Sequence, residues 1–321
     1  MKILITGGAG FIGSHICEKY VKEGHTVLCL DHFESGNISN IRSLLHLKNF
    51  KLITGDVRNL ETVEKATNGV DVVFHLAAQI HVDRSIIEPK LTYDTNVMGT
   101  LNVLEAARML DVKKVIYASS SEVYGSAQTV PIKEDHPLDA PHIYGASKTA
   151  ADRMCLAYID TYGMDVAIVR NFNIFGPRQR DTGYGGVISI FAKRVMNNEP
   201  PIIYGDGKQT RDYTYVQDTV AAYDCIFKYS KPIPKPINFG TGKEVSIMEV
   251  ANKIIKYAGK EKTLKPVFVD KRPGEVDRLI ADASYAKKLL GWEPKYSFDK
   301  GLESLMNWYK NYRFEQWTKA G

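Results

Sequence analysis

Short apolar runs rich in Val, Ile and Leu punctuate the first half of the chain at residues 2–6, 26–31, 51–54, 70–75, 114–118 and 165–170. Between them, residues 11–23, 60–66, 89–109 and 144–162 carry apolar positions at helical spacing. Runs this short fit strands buried on both faces, and the longer periodic stretches fit amphipathic helices. Their alternation predicts βαβ units and a doubly wound parallel sheet with helices on both sides, an α/β fold. In such a sheet, ligands bind beyond the carboxyl ends of the strands. After residue 171 the rhythm changes to more Pro, Gly and aromatic residues and longer loops such as 176–186. The pattern therefore predicts a first domain over 1–171 and a smaller mixed α/β lobe over 172–321. Strand-like runs at 213–216 and 237–240 are expected to return to the first domain, so that 213–241 belongs partly to it.

Composition adds mainly exclusions. With 44% hydrophobic and 25% charged residues in 321, the chain can bury an ordinary core. A formal charge of +5 spread over scattered Lys and Arg gives no nucleic-acid-binding arm. Cys17, Cys29, Cys155 and Cys225 lie far apart, which fits neither a zinc site nor a disulfide framework, and no metal is expected. The glycines from Gly7 onward cut the apolar start short of a signal-peptide core, and no stretch approaches a membrane span. A cytoplasmic protein without membrane or nucleic-acid partners is the expectation.

Candidate chemistry begins at residues 3–13, Ile-Leu-Ile-Thr-Gly-Gly-Ala-Gly-Phe-Ile-Gly, which run from a strand through glycines into a helix. Glycines at Gly7, Gly10 and Gly13 allow a tight turn and a close backbone approach to a pyrophosphate, whose charge then meets free N–H groups at the helix start. Asp31 ends the second strand, 18 residues after Gly13, where a carboxylate can accept hydrogen bonds from both adenosine ribose hydroxyls. It would also repel a 2′-phosphate, which favours NAD over NADP. Asp56 and Val57 follow the third strand, within reach of an adenine, and Leu76, Ala77 and Ala78 follow the fourth, where small residues let backbone lie against a cofactor.

Tyr144 and Lys148 are four apart, hence on one helix face one turn from each other. A buried lysine charge, joined by that of an oxidised nicotinamide, would lower the phenol from its usual value near 10 and make Tyr144 a base. Upstream, the run Ser119-Ser120-Ser121-Glu122 follows the fifth strand and opens at the same rim, where a hydroxyl can hold a sugar hydroxyl for oxidation.

These motifs, with Arg170-Asn171-Phe172-Asn173-Ile174-Phe175-Gly176-Pro177, Arg211-Asp212-Tyr213 and Arg272-Pro273-Gly274-Glu275, resemble the extended short-chain dehydrogenase/reductase family, and within it the UDP-galactose 4-epimerase group. The resemblance covers nearly the whole chain. It implies a Rossmann-type domain holding NAD through Gly7, Gly10, Phe11, Ile12, Gly13, Asp31, Asp56, Val57, Leu76, Ala77, Ala78 and Asn96, together with Tyr144 and Lys148. Tyr144 would remove the proton of the sugar C4 hydroxyl while hydride leaves C4, and Lys148 would hold the nicotinamide ribose. Ser120 and Ser121 both remain open as the assisting hydroxyl. For a UDP-sugar substrate, the resemblance implies Arg211 and Arg272 at the diphosphate, Asn173 and Tyr204 at the substrate, and Val187 with Phe191 near the uracil. Leu279 falls where side-chain bulk limits groups at the sugar C2, and a homodimer through two first-domain helices is implied as well.

Two features bear on the reaction. The 4,6-dehydratases of this group need an acidic pair in the serine loop, and its first position here is Ser121, which argues against dehydration. Ser121-Glu122-Val123-Tyr124-Gly125 also resembles the UDP-glucuronate decarboxylases, which stand as the alternative to a UDP-hexose 4-epimerase. An NAD-binding sensor without turnover is the reading from a different class, and the presence of both Tyr144 and Lys148 speaks against it.

Overall fold

Ile3, Leu4 and Ile5 of β1 (Lys2–Thr6) have no solvent exposure, and their alternation sends them to two separate cores. Ile3 and Ile5 pack with Ile16, Cys17 and Tyr20 of α1 (Phe11–Lys22). Leu4 packs on the opposite face with Val63, Val103 and Ala151. This is why the strand reads as an unbroken apolar run rather than an alternating one. The computed structural model describes residues 1–183, 185–271 and 278–311.

The first half continues through β2 (Thr26–Asp31), β3 (Phe50–Thr54), α2 (Leu60–Thr67), β4 (Val72–His75), α3 (Val82–Ile87), α4 (Pro89–Tyr93), α5 (Gly99–Met109), β5 (Lys114–Ser120), α6 (Ile143–Tyr162) and β6 (Val166–Asn171). The single helix expected over 89–109 is interrupted at Asp94–Met98 by a π-turn, which carries Asn96. Helix α6 is closed at its end by Gly163, whose φ of 67° suits a residue without Cβ. Inside the fold, Asp152 of α6 and Arg170 of β6 form a buried ion pair at 2.7 Å that fixes the helix on the sheet.

The second half contains β7 (Asn173–Phe175), α7 (Val187–Met196), β8 (Ile202–Tyr204), β9 (Thr210–Tyr215), α8 (Val216–Lys228), β10 (Ile237–Phe239), β11 (Glu244–Ser246), α9 (Ile247–Tyr257), β12 (Val267–Val269), β13 (Arg278–Leu279), α10 (Ser284–Leu290) and α11 (Phe298–Asn311). Seven parallel strands form the main sheet in the order β10-β6-β5-β4-β1-β2-β3. The order reverses at β1 and β4, which opens a crevice at their carboxyl ends. Of the two runs expected to return, 237–240 does so as β10. The run 213–216 does not join this sheet. Tyr213 to Tyr215 lie in β9, which pairs with β7, β11 and β13 in a smaller sheet. Long-range bonds hold β9 there, because the Asp212 carboxylate accepts the backbone N–H groups of Thr241 at 2.7 Å, Gly242 at 2.8 Å and Ala281 at 3.2 Å. The following helix, α8, does pack back on the first half, with Phe227 against Tyr20 at 4.7 Å between ring centres. No helix among the described residues is long and apolar enough to cross a membrane.

Candidate active site

A cavity of about 380 Å³ lies at the crevice, lined by Gly7, Gly10, Phe11, Ile12, Gly13, Asp31, Val57, Leu76, Ala77 and Ala78 on one side. Gly7 has φ +69°, and a Cβ there would sit 2.8 Å from the Ala77 nitrogen. A Cβ on Gly13 would sit 2.2 Å from the Gly7 carbonyl oxygen, so neither turn tolerates a side chain. Helix α1 begins at Gly10 with no side-chain cap and no acidic residue in its first turn. Its first N–H groups therefore face the cavity as an anion site, which fits a pyrophosphate. The Asp31 carboxylate stands at the same rim, held by N–H groups of Ala9 at 2.9 Å and Phe33 at 2.8 Å. Burial pushes its pKa up, and those two bonds oppose the shift. The residues present thus fit a dinucleotide.

Behind the turn, the Thr6 hydroxyl meets His75 Nδ1 at 2.8 Å, and His75 Nε2 meets the Thr100 hydroxyl at 3.0 Å. Thr100 donates its own proton to the Asn96 carbonyl at 2.6 Å, so it accepts from Nε2–H, and Nδ1 accepts from Thr6. Burial holds His75 neutral, bringing its pKa down to about 3. Asn96 does not line the cavity. Its amide instead pairs with both backbone groups of Gln79, at 2.8 and 2.9 Å, and donates to Ser147 at 2.9 Å. It thereby ties the loop after β4 to the first turns of α6. Asp56 is likewise outside the lining and pairs with Arg58 at 2.5 Å.

The reacting groups expected from the sequence converge at the cavity floor, where Ser119, Ser120, Ser121, Glu122, Tyr144 and Lys148 all contribute to the wall. Tyr144 is buried and its phenol is pushed up to about 12, mainly by burial, against a hydrogen bond from Ser120 that lowers it. The downward shift expected from Lys148 is not seen in the protein alone. The Lys148 ammonium turns to the Ala118 carbonyl at 2.9 Å, and burial lowers its own pKa to about 8. Of the two serines left open, Ser120 is the one whose hydroxyl lowers the pKa of the Tyr144 phenol.

The far wall is less like the expectation. Asn173 lines it, with an amide oxygen that is buried and has no partner among the described residues. Val187, Phe191, Tyr204 and Arg211 are not among the lining residues, and Leu279 is buried in a small cluster with Tyr124 and Phe172. Phe191 packs inward with Ile188 and Val195, and Arg211 donates to the Thr210 carbonyl at 2.9 Å. Arg272 lies outside the described residues. The wall is supplied instead by Arg178, Gln179, Arg180, Gly185 and Gly186, which the sequence marked only as a long loop. Two arginines in three residues after Gly176-Pro177 were the available signal.

A parallel sheet flanked by helices, with its cleft where the strand order reverses, defines a Rossmann-type α/β protein. Within that class the chain belongs to the family described as GDP-mannose 4,6 dehydratase, whose model matches residues 4–305. It is 39% identical over 314 residues to a Methanocaldococcus jannaschii protein that bears the provisional name UDP-glucose 4-epimerase, covering 96% of this chain and 98% of that one. A UDP-N-acetyl-alpha-D-glucosaminuronate decarboxylase from Bacillus cytotoxicus is 37% identical, over 96% of this chain and 98% of its own. Among solved structures, a UDP-glucuronic acid 4-epimerase from Bacillus cereus, in complex with UDP-glucuronic acid and NAD, superposes with a TM-score of 0.90 at 33% identity, covering 97% of this chain and 99% of that chain.

Proposed function

We propose that the chain is an NAD-dependent UDP-hexose 4-epimerase acting on UDP-glucose and UDP-galactose, with their N-acetyl forms as further substrates. One observation carries the reading: a buried tyrosine shares one cavity with Ser120, Lys148 and the uncapped start of α1. The pyrophosphate of NAD would rest on the N–H groups of α1, Asp31 would take the adenosine ribose, and Lys148 the nicotinamide ribose. When bound, NAD supplies the acceptor that takes hydride from the sugar C4 and returns it to the opposite face. With the charges of Lys148 and of bound oxidised nicotinamide offsetting its burial, Tyr144 would act as the phenolate, hold the C4 hydroxyl with Ser120, accept its proton as the 4-keto sugar forms, and give it back after the sugar has turned. Burial in a closed floor keeps water from that ketone. Asn173 contributes an acceptor to the substrate, and Arg211 and Arg272 are assigned to the diphosphate by the family pattern.

A second reading has one observation in its favour. Glu122 lines the floor, in a motif shared with the decarboxylases. A single NMR experiment separates the two. Purified protein is incubated with UDP-glucose, UDP-galactose, their N-acetyl forms and UDP-glucuronate while the anomeric signals are followed. Interconversion of a C4 pair without net NADH is expected, loss of the carboxylate from UDP-glucuronate would make it a decarboxylase, and no change in any substrate would sink both readings.

We further propose a cytoplasmic homodimer. Met98, Met109 and Tyr162 on the α5 and α6 side are 47%, 63% and 52% exposed, an apolar surface suited to a second copy.

A further inference from the structure

His142 precedes α6 in extended conformation and caps it with its ring, Nδ1 accepting the Gly145 N–H at 3.0 Å. A ring nitrogen that accepts carries no proton, so the neutral imidazole bears its proton on Nε2. Nε2 lies 3.1 Å from Glu122 Oε2, and the bond runs from His142 to the carboxylate. A serine or asparagine would cap the helix as well. Only the imidazole has a second end that reaches another segment.

That second segment carries Ser120. Its hydroxyl accepts the Glu122 N–H at 3.2 Å, and Ser120 lines the same cavity as Tyr144. At Gly145, the first turn of α6 approaches the same loop so closely that a Cβ would stand 2.7 Å from the Glu122 carbonyl oxygen. The His142 ring also lies nearly parallel to that of Tyr144, at 15° and 6.1 Å between centres. The contacts form one circuit, from Ser120 to Glu122, from Glu122 to His142, and from His142 to the helix turn that bears Tyr144, which shares the cavity wall with Ser120.

Resting on the epimerase reading above, we propose that His142 and Glu122 are positioning residues that set the Ser120–Tyr144 spacing on which proton transfer at the sugar C4 hydroxyl depends. Neither need touch the reacting atoms. Opening the circuit leaves the helix and the loop in place but frees them to drift, and displacements of about 1 Å can lower a rate by up to about a hundredfold.

The test compares Glu122→Ala, His142→Asn, their double variant and Glu122→Gln for kcat and KM in UDP-sugar epimerisation. His142→Asn retains a cap, and Glu122→Gln retains an acceptor for Nε2–H. The singles are expected to lose about tenfold in kcat with KM within about twofold. The double variant should lose no more than either single, because one circuit opens once, and Glu122→Gln should recover most of the loss. Multiplying losses in the double variant, or an unchanged kcat in His142→Asn with its melting temperature intact, would overturn the proposal. Parent protein with no C4 interconversion on any UDP-sugar would instead overturn the functional reading, so the two failures are told apart. A Glu122→Ala that does not fold leaves the decision to His142→Asn and Glu122→Gln, since equal parental kcat in both also overturns it.

Discussion

Along the ends of β1 to β5, cavity residues stand on or just after the last residue of a strand: Gly7, Asp31, Gly55, Leu76 and Ser120. From residue 172 onward the wall is made differently, by a short strand at Asn173 and then by loop residues Arg178, Gln179, Arg180, Gly185 and Gly186. In the first region the Thr6–His75–Thr100 ladder closes its bonds within the protein, although the buried Ser119 hydroxyl on that wall has no partner among the described residues. In the second, polar atoms are left open, as at the Asn173 amide oxygen. A wall of strand ends is rigid before any ligand arrives and suits a cofactor kept through turnover. A wall with open acceptors suits a sugar that must enter, turn and leave.

The comparison breaks most visibly if the rigid region does not carry the chemistry. Tyr144→Phe removes the only oxygen of that side chain from a site whose backbone rests on α6, so turnover should fall about a thousandfold or more. The melting temperature should hold within a few degrees, and NAD should still be retained. Turnover within tenfold of the parent would remove Tyr144 as the base and return the choice of proton acceptor to Glu122.

The junction between the regions gives the next effect. His15 on α1 donates Nε2–H to the Pro177 carbonyl at 3.0 Å, tying the loop of the second region to the first. Burial, with Arg178 nearby, brings its pKa from 6.5 down to about 4. The unfolded chain therefore binds more protons than the folded one between these values, and stability falls as the pH drops from 6.5 towards 4. The His15 share of that loss is about 3 kcal/mol at pH 4, from a pKa lowered from 6.5 to about 4. Urea unfolding at pH 7 and pH 4.5 should lose about half of the histidine slope in His15→Gln. The other half belongs to His75, whose pKa is lowered with the same sign to about 3. Equal slopes in parent and variant would mean that His15 is not the group that titrates.

How much was legible follows from the same contrast. β1 and β2 occupy the spans expected from the apolar runs, and α6 differs by one residue at its start, because strands buried on both faces announce themselves locally. Tyr144, Lys148, Gly7 and Gly13 meet in one cavity because each sits at a fixed offset from such an element. The π-turn at Asp94–Met98 left no mark on the helical period. Nor did the pairing of β9 with β7, which depends on bonds from Asp212 to residues far along the chain. The cap at His142 was equally hidden, since imidazole is an uncommon cap and its partner Glu122 lies twenty residues upstream.

The smallest effect, and the sharpest for the comparison, comes from two asparagines that the family pattern assigns to the site. Asn96, in the first region, has its contacts inside the protein, bonding both backbone groups of buried Gln79. Asn96→Ala strands those groups and should cost about 2 kcal/mol in unfolding free energy, with KM for the UDP-sugar unchanged. Asn173, in the second region, offers an oxygen that no group among the described residues satisfies. Asn173→Ala removes a group already paying desolvation without a bond, so stability should stay level or rise slightly. An acceptor oxygen requires a donor, which an ionised diphosphate lacks and a hexose supplies through its hydroxyls. Asn173→Ala should thus raise KM for the UDP-sugar about tenfold while leaving inhibition by UDP alone within about twofold. Equal weakening of UDP would mean that the amide serves the nucleotide, through its nitrogen or through a uridine hydroxyl or N–H, and a loss of stability like that of Asn96→Ala would erase the distinction between the two walls.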